Sequence, residues 1–123
     1  MKSLLGLFSF LIFDAVYLYS IKDYFGNQIR SIQGSEMEVK VISAAVVYAL
    51  IGIQWYYFIF KNIIEKNMKE MLLKAFLLGV TTYGIFDFTS HALLKNYTLK
   101  TALIDTFWGG TLYFLVTLLQ YKL

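Results

Sequence analysis

Long apolar runs alternate with short charged ones along this chain, and the lengths of the apolar runs decide its class. Residues 41–60 carry no formal charge, and residues 75–94 carry one, on Asp87. Residues 4–21 and 101–119 are similar runs, each interrupted by a single aspartate, Asp14 and Asp105. Twenty residues of α-helix extend about 30 Å, the thickness of a hydrocarbon core. The pattern predicts an all-α integral membrane protein, a four-helix antiparallel bundle in one domain, with spans at about 4–21, 41–60, 75–94 and 101–119.

The intervening segments set the topology. An N-terminal apolar run can also be a signal peptide, but this one continues past Asp14 with no small-residue cleavage site, so the first span is read as retained. Residues 22–40 form the long connection. Phe25, Ile29 and Ile32 recur there at helical spacing, which fits either a short amphipathic helix in the interface or a solvated loop. Residues 61–70 make a charged connector, with helix able to continue from 71 into the third span. Residues 95–100 suit a tight helical hairpin, and the Asn96-Tyr97-Thr98 glycosylation pattern within it is read as chance. Trp55, Tyr56 and Tyr57 are expected as an aromatic belt where the second span leaves the hydrocarbon. Ala45, Ala49 and Gly52 form a small-residue stripe for close packing. Gln54 lies on the opposite side and needs a partner, on a neighbouring helix or in a second copy.

Composition supports the same class. With 59% hydrophobic and 15% charged residues, the chain has too little polar cover for a soluble domain of its size. It has no cysteine, which removes disulfides and thiolate metal sites, and no proline to break the spans. The net charge of +3 forms no basic run with interleaved aromatics, so the bilayer is the expected partner and nucleic acid is not. Both termini fall on one side, called A. Side A collects Lys2, Lys61, Lys66, Lys69, Lys74 and Lys122, against Lys22, Arg30, Lys40, Lys95 and Lys100 on side B, and this excess of one slightly favours termini in the cytoplasm.

The candidate chemistry is a set of polar residues inside the spans. Measured from the span centres, Asp14 lies about 3 Å and Asp87 about 4 Å towards side B, Trp108 about 4 to 5 Å, and Asp105 and His91 about 9 to 10 Å. At 100° per residue, Tyr83, Asp87 and His91 share one face of the third helix. Asp105 and Trp108 share a face of the fourth, and Asp14 and Tyr17 a face of the first. Joined, these faces predict one polar pocket of Asp14, Tyr17, Tyr83, Asp87, His91, Asp105 and Trp108, open towards side B. Burial and like-charge proximity make such carboxyls candidates for proton or cation handling. They could also serve as an oxygen-rich metal set, but the paired Glu-x-x-His pattern of di-iron bundles is missing, so no metal and no cofactor is assigned. Nucleophile motifs, phosphate-cradling loops and dinucleotide fingerprints are absent as well.

Three short motifs then point to a family. Phe13-Asp14-Ala15-Val16-Tyr17-Leu18, Tyr83-Gly84-Ile85-Phe86-Asp87-Phe88-Thr89 and Ile104-Asp105-Thr106-Phe107-Trp108-Gly109-Gly110 occur in this order. With them the chain resembles the small predicted membrane proteins of domain of unknown function 2177 (DUF2177). The resemblance implies a four-helix membrane protein in which the three Asp positions recur; Ser90 stands where the family motif has Asn, and His91 is outside the motif. It implies no activity. The functional expectation is movement or sensing of a proton, cation or small polar solute. The alternatives are a structural protein whose polar residues lock helices, and a membrane-embedded enzyme acting on lipid. Self-association is expected, since four short helices leave little room to enclose a polar site alone.

Overall fold

The computed structural model describes residues 2–34, 40–63 and 67–122, with the backbone alone at residues 2 and 3. The described residues form four helices: α1 (Lys2–Gln33), α2 (Val41–Phe58), α3 (Met68–Leu93) and α4 (Leu99–Lys122), with a short 3-10 turn at Phe60–Asn62 after α2. All four are long and apolar enough to cross a membrane. This is the expected four-helix membrane bundle. Its outer surface is apolar, with Ile42, Ile85, Leu93 and Phe107 exposed, while Asp14, Asp87, Asp105 and Thr117 are buried. Lys66 and residues 35–39 of the first connection lie outside the described residues.

Helix ends follow local chemistry rather than the edges of the apolar runs. Charge at Lys22 ends the hydrophobic stretch but not α1, whose 32 residues extend about 48 Å. Phe25, Ile29 and Ile32 are therefore part of one continuous helix that projects beyond the hydrocarbon. The stop is Gly34, at φ 76°, whose N–H bonds the Arg30 carbonyl at 2.8 Å. Glycine adopts this left-handed geometry without the Cβ penalty, so it is a natural helix terminator. α3 begins earlier than its apolar run because Asn67 caps it, its side chain accepting from the Glu70 N–H at 2.8 Å.

The helices do not close into an even ring. α1 packs on α2 and α4, α3 packs most extensively on α4, and α2 and α3 meet at few points. Glycines bring α3 and α4 together. A Cβ at Gly79 would lie 2.7 Å from the Gly109 carbonyl carbon, and one at Gly109 would lie 2.5 Å from the Tyr83 Cβ. Because lipid is as apolar as leucine, close backbone approach of this kind is a main source of helix association in a bilayer. Towards side A, Phe10 meets Trp55 and Tyr113 edge-on, at 5.6 and 5.2 Å, beside Met71, Leu112 and Val116. Trp55 thus belongs to the core, fully buried and donating to Thr117 at 3.1 Å, whereas Tyr57 alone of the expected belt is largely exposed.

Candidate functional site

The three aspartates come from three helices and are held by hydroxyl and indole donors. Asp14 on α1 accepts from the Trp108 indole at 2.9 Å and from the Tyr48 hydroxyl. Asp105 on α4 accepts from the Tyr17 hydroxyl at 3.0 Å. Asp87 on α3 accepts from the Tyr97 hydroxyl at 2.6 Å and from Thr106 at 3.5 Å. Thr106 follows Asp105 on α4, so its contact with Asp87 puts the two carboxyl-bearing residues at one level of the α3–α4 interface. Tyr17 and Trp108 stack at 4.5 Å, with planes 4° apart, so the donors to Asp105 and Asp14 are in contact.

The register of the α3–α4 hairpin explains the pairing. Gly79 faces Gly109 and Gly84 faces Thr106, which brings Asp87 to the level of Thr106 and Asp105. Exposure is 6% at Asp14, 0% at Asp87 and 6% at Asp105, so one chain suffices to bury all three. A second copy is not needed to enclose them.

Tyr97 stands over Asp87 on side B, where an open mouth was expected. It lies in the α3–α4 loop yet is 3% exposed. The projecting end of α1 clamps this loop. Gln28 accepts from Thr98 at 3.0 Å and Thr101 at 2.6 Å and donates to the Asn96 carbonyl, while Asn96 donates to the Ser31 carbonyl at 2.8 Å. His91 is exposed and bonds the Tyr97 carbonyl through Nδ1 at 2.7 Å. A carbonyl only accepts, so Nδ1 carries the proton, and His91 positions the loop instead of facing the carboxyls.

A second polar node lies between α2, α3 and α4. Gln54 donates to Thr82 at 2.7 Å and accepts from the Tyr113 hydroxyl, so its partners are in its own chain. Tyr83 sits between this node and the carboxyls, its ring seated against Gly109. Among the described residues no three His, Asp or Glu side chains gather as ligands for a metal ion. Sequence reasoning named Asp14, Tyr17, Asp87, Asp105 and Trp108 of this network but missed Tyr48, Tyr97 and Thr106. For Tyr97 the available signal was an aromatic residue inside a charged, six-residue loop.

An apolar exterior, four helices able to span a membrane and a carboxyl network buried among them define an integral membrane protein with a polar interior. A family model described as "Predicted membrane protein (DUF2177)" matches residues 2–122, and the chain belongs to that family. No curated protein and no solved structure compared with the chain matches it.

Proposed function

We propose that this protein binds and releases protons at the Asp87–Asp105 pair, and so moves or senses protons within the membrane. The observation that carries this reading is the burial of Asp87 and Asp105 at one level of the α3–α4 interface, Asp87 bonded to Thr106 and Asp105 to Tyr17. Two buried like charges with no cation beside them cost more than one charge and a proton. No lysine, arginine or histidine is among the described donors to the three aspartates; the donors are Tyr17, Tyr48, Tyr97, Thr106 and Trp108. With neutral partners and no ligand cage, the cheapest way to change the charge of this site is to add or remove a proton.

Chemistry divides the network. Tyrosine hydroxyls both accept and donate, so Tyr17 and Tyr97 can pass a proton to or from the pair, whereas the Trp108 indole only donates. Asp14 therefore communicates with the pair through the Tyr17–Trp108 stack and its own charge. A change in the pair should register at Trp108. In lipid nanodiscs, tryptophan fluorescence of the full chain is expected to titrate with pH, and Asp87→Asn should flatten that titration while the protein stays folded. No titration in the wild type, or an unchanged one in Asp87→Asn, would overturn the reading. The second reading is a structural lock, favoured by the way Asp14 ties α1, α2 and α4 together. It predicts that Asp87→Asn is tolerated in detergent melts and leaves no pH response to lose.

A further inference from the structure

The gap between α2 and α3 is a cavity of about 580 Å³ whose rim lies on the apolar outer surface of the bundle. Its rim is apolar: Val47, Leu50 and Phe86 are 51%, 60% and 60% exposed. Its floor is polar, with Tyr83 and the buried Asp105. Gln54 and Thr82 also line it, but they are engaged with each other. The Tyr83 hydroxyl makes no hydrogen bond to a described residue, although its ring is fixed by Gly109.

These facts restrict what fits. All the lining residues lie within spanning helices, so an occupant must come from the hydrocarbon layer. A phospholipid headgroup would have to bring charge to mid-bilayer depth, which costs several kcal/mol. A bare acyl chain would cover the rim but leave the Tyr83 hydroxyl unpaired against hydrocarbon, which is also costly. What satisfies both surfaces is an uncharged head small enough to pass the rim, carrying one hydroxyl to donate to Asp105 and accept from Tyr83, with an apolar tail running out between α2 and α3. We infer that the α2–α3 cavity is a binding site for a neutral lipid alcohol. Asp105, which lines this cavity, belongs to the carboxyl network, so the lipid would sit beside the proposed proton site. Binding itself requires no proton transfer, and its test does not depend on the Trp108 titration.

The test uses the full chain in phosphatidylcholine nanodiscs and a hexadecanol analogue bearing a photoreactive diazirine, with labelled residues located by mass spectrometry. Label should concentrate on Val47, Leu50 and Phe86, and unlabelled hexadecanol should displace it. Competition with diacylglycerol and with a prenol then distinguishes the two natural sources of such a head. Leu50→Trp, at an exposed rim position, should close the entrance and remove most of the label. Tyr83→Phe should weaken competition roughly three- to tenfold, the value of about one hydrogen bond. Label spread evenly around the four helices, unaffected by Leu50→Trp, or displaced equally by added phosphatidylcholine would overturn the assignment. So would cross-linked dimers joined through the rim, which would mean that a second copy fills it.

Discussion

On side A the bundle closes around Phe10, Trp55, Tyr113 and Val116, each at most 2% exposed, with edge-on aromatic contacts. On side B the same helices enclose Asp87 and Asp105, held by tyrosines from α1 and from the α3–α4 loop. Both halves are buried, but one is fixed by the packing of aromatic side chains and the other by hydrogen bonds to carboxyls. On the proposed reading, the bundle keeps a rigid end and a chemically responsive end within one fold. Mutations should separate the two: side A should answer to volume, and side B to hydrogen-bonding capacity and pH.

The largest expected effect is at the rigid end. Trp55→Ala removes a fully buried indole and leaves Thr117 without its donor, a loss of about 3 to 5 kcal/mol that a thermal melt in detergent would read. At the boundary between the halves, Gly79→Ala forces a methyl against the Gly109 backbone, which cannot rotate away. It should cost about 1 to 3 kcal/mol and loosen α3 from α4, visible as faster hydrogen exchange in both helices. A gain is expected at Gln120, 4% exposed on side A, whose amide oxygen and nitrogen have no partner among the described residues. Gln120→Leu keeps the shape and removes the unpaired groups, so it should raise the melting temperature, by about 1 to 2 kcal/mol in stability. The smallest effect on stability is at Tyr97→Phe, about 0.6 kcal/mol for one intramembrane hydrogen bond, though it should change the pH response of Trp108 more than any of the side A variants.

Much of this could be read from the residues, because apolar run length is a strong signal and a carboxylate inside such a run is conspicuous. The four spanning helices followed from it. The ends of α1 and α3 did not, since hydropathy marks where a helix leaves the membrane and not where it stops. Gly34 and Asn67 carried that information as local stop and start signals. The centre of the apolar run matches Asp87 in depth to Asp14, whereas its contact with Thr106 puts it level with Asp105. Tyr97 was hidden for another reason. Its bond to Asp87 depends on a loop turning back over the bundle, and that turn is held by Gln28, which is far away in sequence. Tyr48 carries no sequence signal of its own, since only the packing of α1 on α2 brings its hydroxyl to Asp14; Ala45, Ala49 and Gly52 are the expected packing stripe of the same helix. Of these Gly52 is buried, against Leu7, while Ala45 and Ala49 are exposed.

The central claim is that Asp87 and Asp105 share a proton. Infrared difference spectroscopy of the reconstituted protein measures this most directly, through the C=O stretch that a protonated carboxyl has and a carboxylate lacks. The account predicts a protonated-carboxyl band in the wild type that shifts in deuterated buffer and is lost or displaced in both Asp87→Asn and Asp105→Asn. A spectrum without such a band, or one whose band is untouched by both substitutions, would contradict it.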